Sequence, residues 1–269
     1  MSAPRKLTQI ARKIEEDKKS MEIMSSGIMN LDVLLDGGFI KKELILLGGK
    51  TGGGKSLIAG NMFLHMAKSK YKSAYFSLEI SGEMIVSRLI GARADVSPAR
   101  LMIHELAAPE QEATDKAEVE IGTYEENMFF YDDVYYIEEI IKEITENKYD
   151  FVVIDFLQNI MTKHKDEYER LSSVALTLQK LAKSQNCCIL AVSQLSNQMA
   201  REKKPSDIVE YKGSGAIGHA ADLALFIEGG HAGEGSFELK VRKNRRGISG
   251  RSISFAIKQP GGRIIELSY

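Results

Sequence analysis

Residues 49–56 read Gly-Lys-Thr-Gly-Gly-Gly-Lys-Ser, with the spacing G-x-x-x-x-G-K-[ST]. Backbone N–H groups in a loop of this kind cradle phosphate oxygens. The glycines let the chain curl with its amides facing inward, and a following helix adds the positive end of its dipole. Gly49, Lys50, Thr51, Gly52, Gly53, Gly54, Lys55 and Ser56 would then surround the phosphates. In that arrangement Lys55 reaches the β- and γ-phosphates and Ser56 holds magnesium, so ATP with Mg2+ is the expected ligand pair. The competing reading is a glycine-rich turn that matches by chance. Context argues against it: Glu43-Leu44-Ile45-Leu46-Leu47 before the loop reads as a buried strand, and Leu57 to Leu64 after it as a helix.

Other residues with chemical potential fall at predicted strand ends. Phe151-Val152-Val153-Ile154 is an apolar run that ends in Asp155, a carboxylate suited to magnesium-bound water. Ser73 to Leu78 ends in Glu79, and the strand over 187–192 is followed by Ser193-Gln194. Beside a phosphate loop, a carboxylate can polarise an attacking water and an amide can sense the γ-phosphate. Glu79 also has a plainer reading, as part of the cap of the next helix. The histidines, at 65, 104, 164, 219 and 231, lack metal-ligand spacing. Asp132-Asp133 reads as a strand-end turn. Arg242, Lys243, Arg245, Arg246 and Arg251 form a basic cluster that could be only a solvated face.

Alternating strands and helices must position these groups. The spacing predicts helices over 81–92, 137–146 and 166–185, and a helical, acidic stretch over 95–127. It predicts strands over 73–78, 128–131, 151–155, 187–192 and 222–227. Ile253, Phe255 and Ile257 alternate, and Gly261-Gly262 separates them from Ile264-Ile265, so the C-terminal part is expected to be antiparallel. The class is α/β: a mostly parallel central sheet flanked by helices, with a C-terminal antiparallel extension. Residues 196–213 read as a long, partly basic loop with Arg201, Lys203, Lys204 and Lys212.

The 269 residues can bury a large core. Net charge is −1, so nucleic-acid contact has to come from local basic patches and not from a global field. Cys187 and Cys188 are adjacent in an apolar run, which excludes a disulfide framework and suggests a reducing compartment. No apolar run is long enough to cross a bilayer and no signal peptide is visible, so no membrane partner is expected. Residues 1–24 differ from the rest: a charged helix with Leu7, Ile10, Ala11 and Ile14 in one narrow stripe. They read either as a helix packed on its own domain or as a linker helix that docks on a neighbouring subunit. Residues 25–269 form the second unit.

The ordered set of motifs resembles the RecA-fold ATPase domain of DnaB-type hexameric replicative DNA helicases. It comprises Ser26-Gly27 with Leu31-Asp32, the phosphate loop, Phe76-Ser77-Leu78-Glu79 with Ser81, Val153 to Gln158, Ser193 to Ser196, Gly213 to Ile217, and Lys243-Asn244-Arg245. The resemblance covers about 25–269 and implies a RecA-like P-loop NTPase. It implies roles as well: Lys55 and Ser56 on phosphate and metal, Asp155 as the Walker B acid, Glu79 as catalytic base, and Gln194 as γ-phosphate sensor. Lys243 and Arg245 resemble the basic pair that a neighbouring subunit inserts into the ATP site. Lys212, Gly213 and Gly215 resemble the loop that grips single-stranded DNA, to which Arg201, Lys203 and Lys204 add charge. Where Gly213 stands the family usually has Glu, and the stretch is closer to phage and mitochondrial helicases. No N-terminal collar or primase domain is present in the sequence.

The expected function is an ATP-dependent replicative helicase that hydrolyses ATP at subunit interfaces and translocates on single-stranded DNA. The expected partners are single-stranded DNA, further copies of the chain in a hexameric ring, and a primase or helicase loader. The expected setting is the cytoplasm of a bacterial or phage-infected cell. A RadA-like recombination ATPase and a KaiC-like ATPase switch acting through protein partners are the alternatives.

Overall fold

The computed structural model describes residues 6–20, 22–103, 105–164, 166–194, 215–229 and 236–267. Its centre is a sheet in the order β11-β10-β9-β8-β3-β7-β6-β4-β5. The parallel part holds β3 (Leu44–Gly49), β4 (Ser73–Ser77), β5 (Met128–Tyr131), β6 (Phe151–Asp155), β7 (Cys188–Gln194) and β8 (Leu223–Gly229). The antiparallel extension holds β9 (Ser236–Asn244), β10 (Ser252–Lys258) and β11 (Arg263–Glu266). A small ribbon of β1 (Ile23–Met24) and β2 (Phe39–Ile40) stands apart from the sheet.

The parallel strands are apolar on both faces because helices cover both faces. One core joins Ile45, Leu47, Phe151, Val153, Leu190 and Val192 to α3 (Lys55–Lys68) through Ile58, Met62, Phe63 and Met66. The other joins Leu44, Leu46, Val152, Ile154, Ile189 and Ala191 to α7 (Ile137–Asn147), α8 (Glu167–Gln185) and α9 (Gly215–Ala220). The alternation is strict along each strand, as the two-residue period requires. Each fully buried Leu, Ile or Phe in these layers contributes about 1.5–3 kcal/mol of transfer free energy.

The remaining helices are α1 (Leu7–Ser20), α2 (Met29–Leu34), α4 (Gly82–Ala94), α5 (Pro98–Ile103) and α6 (Ala108–Gly122). The acidic stretch predicted as helical is thus two helices and a short 3-10 turn over Glu125–Asn127. Two caps come from outside their own helices. Asp132 accepts from Gly82 N at 2.8 Å at the start of α4, so the Asp132-Asp133 turn is also a helix cap. Glu266 accepts from Met29 N and Asn30 N, each at 2.7 Å, and so ties the last strand to the start of α2.

Every described side chain of α1 is exposed, including Leu7 and Ile10. Leu7, Ile10 and Ala11 of its apolar stripe therefore add nothing to the core of their own chain, and a stripe of that width suits docking on a neighbour. Deleting residues 6–20 is expected to leave the thermal midpoint of the monomer nearly unchanged and to lower the oligomer fraction in sedimentation runs. Full-size assemblies formed by the shortened chain would refute this.

Candidate functional site

Side chains of the parallel strands converge at their carboxyl ends. Gly49 ends β3, Asp155 ends β6 and Gln194 ends β7, while Glu79 follows β4. A cleft of about 450 Å³ opens there, lined by the loop from Thr51 to Ser56, by Glu79, Arg88, Asp155 and Gln194, and by the 257–262 turn. Open α/β sheets bind their ligands at this edge.

The loop between β3 and α3 takes its shape from glycine. Gly52 and Gly54 have φ of +73° and +82°, values that side chains with a Cβ avoid. A Cβ on Gly53 would sit 2.9 Å from the Lys50 carbonyl oxygen. Lys55, the first residue of α3, is buried, and its Nζ donates to the Gly49 and Lys50 carbonyls at 3.1 and 2.7 Å. Burial pushes its pKa down, against the attraction of Asp155 and Glu79. The ammonium is thus folded back on its own loop, within reach of any phosphate seated in it.

Asp155 lies on the α3 face because Phe151, Val153 and Asp155 share the side that packs on α3. It is 3% exposed and accepts the Tyr75 hydroxyl at 2.7 Å, while burial raises the tyrosine's pKa well above its usual value. Its backbone carbonyl accepts from Leu78 N at 2.7 Å, which binds the end of β6 to the turn that presents Glu79. The side chains of Glu79 and Gln194 make no hydrogen bond with any described residue; Glu79 is exposed and Gln194 half-buried in the cleft. The cap of α4 is Ser81 and not Glu79, since Ser81 Oγ accepts from Met84 N.

A buried carboxylate, a hydroxyl at the start of a helix and space for phosphate oxygens form a hard oxygen donor set, which suits Mg2+. The described residues hold no group of three or more His, Cys, Asp or Glu able to bind a metal by themselves. That fits an ion shared with substrate phosphates, for which such a cage is unnecessary.

Several residues in the cleft or packed behind it carry no signal in sequence spacing. Tyr75 reads like any strand aromatic, and Gln158 closes the Val153 to Gln158 motif with no role of its own given by the sequence. Gln158 donates from Nε2 to Ser193 Oγ at 3.0 Å and to the Gln194 carbonyl at 3.2 Å, fixing the end of β7. Arg88 escapes sequence reasoning as well, although it is the one charge in the run Met84 to Ile90. It reaches the cleft from α4 and has no hydrogen bond or ion pair with a described residue. Gly261 and Gly262, which read only as a strand separator, belong to the cleft wall.

Lys243 and Arg245 lie elsewhere. Leu223 pairs with Ile45 in the parallel ladder and with Asn244 in the antiparallel one, so the end of β9 sits at the opposite edge of the sheet from Gly49. Arg245 is one residue past β9, beside Asp222. The basic cluster is not a free cationic face: Arg242 pairs with Glu228, and Arg246 with Glu43 at 2.7 Å. Burial pushes the Lys243 pKa down, helped by the Arg245 charge. Arg201, Lys203, Lys204, Lys212 and Gly213 lie outside the described residues, and Gly215 begins α9.

Residues 24–259 match the family described as the DnaB-like helicase C terminal domain. A probable replicative DNA helicase from Trieres chinensis is 32% identical over 231 residues, which is 80% of this chain and 49% of that protein. A replicative DNA helicase DnaB from Rickettsia typhi is 30% identical over 227 residues, covering 76% of this chain and 44% of that protein. The chain thus spans about half the length of the curated relatives it matches. Among solved structures, one ATPase domain superposes with a TM-score of 0.86 at 20% identity, covering 99% of this chain and 100% of that one. A DnaB-like replicative helicase studied for its interactions with primase gives 0.86 at 19% identity, covering 99% and 68%. At those identities the likeness establishes the fold, and the RecA-like expectation holds.

Arg88→Ala is expected to weaken ATP binding roughly ten- to a hundredfold, the loss of charge-assisted hydrogen bonds worth about 1.5–3 kcal/mol. The thermal midpoint should stay put. Calorimetric titration checks this, and an unchanged Kd would mean that the guanidinium does not meet the nucleotide.

Proposed function

The chain belongs to the DnaB-like helicase C-terminal domain family, and from that premise we propose that it is the ATP-driven motor of a replicative DNA helicase. It works as a ring of copies with nucleotide between subunits, and it moves along single-stranded DNA. The observation that carries this reading is the cleft, where the phosphate loop, Asp155, Glu79 and Gln194 meet at one sheet edge.

The roles follow from position. The loop amides and Lys55 hold the β- and γ-phosphates, the lysine exchanging two loop carbonyls for phosphate oxygens. Ser56 and Asp155 hold Mg2+, which when bound neutralises charge developing on the phosphates. Tyr75 keeps the Asp155 carboxylate turned to α3. Glu79 is free to accept a proton from the attacking water, and Gln194 to contact the γ-phosphate. Gln158 ties Gln194 to the segment after Asp155, so a change at the phosphate is passed to the ends of both strands.

Lys243 and Arg245 are proposed to act in trans. Along β3, at about 3.3 Å per residue, Gly49 lies about 10 Å beyond the level of Lys243 and about 13 Å beyond that of Asn244, more than either side chain can span. A second copy placing its β9 end against this cleft would supply them, and a guanidinium suits the spread charge of a transferring phosphoryl group. Lys212, Gly213 and Gly215, with Arg201, Lys203 and Lys204, are proposed to grip DNA by its phosphates. Primase or a loader is the proposed protein partner.

A forked DNA substrate with a labelled strand tests the whole reading. Displacement should require ATP and Mg2+, and Glu79→Gln should keep ATP binding while abolishing turnover and displacement. Normal steady-state hydrolysis by that variant would remove Glu79 from the mechanism; absence of displacement by the intact assembled chain would defeat the helicase reading. A phosphate grip also predicts affinity for single-stranded DNA that falls steeply with salt and varies little with sequence. Lys212→Ala should weaken binding to all sequences alike, and a sequence-selective loss in fluorescence titrations would count against it.

A further inference from the structure

Lys243 and Arg245 do not hang free at their edge of the sheet. Arg245 Nη1 donates to Asp222 Oδ1 at 2.9 Å, and Nη2 to the His219 carbonyl at 2.8 Å. Lys243 Nζ donates to the Gly218 and His219 carbonyls at 2.8 and 3.0 Å. Both cations therefore converge on the C-terminal end of α9, where carbonyls without intrahelical partners carry partial negative charge.

Asp222 is the fixed post of this arrangement. Its side chain is only 10% exposed. Leu44 N at the start of β3 donates to its Oδ2 at 3.1 Å, and Gln179 Nε2 of α8 donates to its Oδ1 at 3.3 Å. Arg245 N donates to the Asp222 backbone carbonyl at 3.0 Å, so backbone and side chain are both tied to one residue. A guanidinium is a planar fork of five donors. Holding one side of it against Asp222 and His219 sets its plane and leaves its other N–H groups outward, on a side chain still 45% exposed.

We propose that Asp222 is the positioning residue of the trans-acting pair: it orients Arg245 beside Lys243, seated on the end of α9, toward the phosphates held by a second copy of this chain. The proposal rests on the trans role given to Arg245 above. Asp222 touches no nucleotide and acts only through the arginine. Its contribution is orientation paid for in folding, so that the guanidinium need not be ordered during turnover.

The test uses Asp222→Asn, an isosteric change that keeps an acceptor for Leu44 N and turns an amide toward Arg245. At saturating ATP and single-stranded DNA, kcat is expected to fall roughly ten- to a hundredfold, the scale of a misplaced reacting group. KM for ATP should not change, and kcat is compared well below the variant's thermal midpoint, which the loss of a buried charge-assisted bond lowers. Mixing with a Lys55→Ala chain should recover activity, because the Asn variant keeps an intact phosphate loop and the Lys55→Ala chain brings an oriented arginine. Asp222→Glu, which keeps the charge but displaces it by one methylene, covers a failure of the Asn chain to fold, and the same loss and the same recovery are expected. Arg245→Ala runs in parallel. If it loses activity and is rescued by mixing while both Asp222 variants keep full kcat, the positioning role is overturned and the trans reading survives. If the Asp222 variants lose activity that co-assembly does not restore, the damage lies in their own site and the proposal fails. If Arg245→Ala keeps full activity, the trans reading falls and takes this inference with it.

Discussion

The Tyr75 hydroxyl donates to Asp155 at 2.7 Å inside the sheet's α3 face, and that bond exists only in one strand phase. Ser77 pairs with Asp155 and Tyr75 with Val153 in the β4–β6 ladder. A slip of one residue would turn Asp155 toward α7 and α8, and would send Phe151 and Val153 after it. The phase is fixed by apolar packing on both faces, not by the polar groups. Phe39 stacks on Phe151, and Phe63 meets Tyr75 edge-on at 5.5 Å between centroids. The chemistry at the sheet's edge is thus set by hydrophobic alternation along the strands that lead to it. A buried carboxylate tolerates that position because the Tyr75 hydroxyl satisfies it and because the Lys55 ammonium and a bound cation can neutralise it.

This division explains what was legible in the sequence. Buried parallel strands such as Phe151 to Asp155 announce themselves as short apolar runs, and the residue that ends the run is then placed by rule at the ligand edge. The phosphate loop is legible because its function needs a fixed local spacing. The α8 helix was legible from Leu171, Val174, Leu178 and Leu181, which are all buried. What was not legible depends on contacts made far along the chain. Glu266 caps a helix that begins 237 residues earlier, and Gln158 reaches 35 residues forward to Ser193. Arg88 enters the cleft through the direction of α4, which no periodicity in 81–92 gives. Asp222, read as the first residue of a strand, is instead a post between β3, α8 and Arg245. Local pattern reports which face a residue takes, and tertiary geometry decides which partner it meets there.

The antiparallel extension gives these observations a common geometry. The parallel strands all end at the nucleotide edge, so they can build one site only. Reversing direction at β9 carries Lys240 to Asn244 to the other edge, where Asp222 and the end of α9 receive the cations. Reversing again at β10 returns Ile257 and the 259–262 turn to the first edge, where they wall the cleft. Successive turns of one meander thus face opposite edges of the sheet. One turn closes over the chain's own phosphate loop, and the other presents charge that this loop cannot use. Asp222 serves the fold through Leu44 N and Gln179, whereas the outward N–H groups of Arg245, on a side chain 45% exposed, add little to stability. Their placement makes sense when the edge that carries them meets the cleft of another copy. Under the proposed assembly, the rigid sheet between the two edges fixes how far a change at one nucleotide must travel to alter the cations offered to the next.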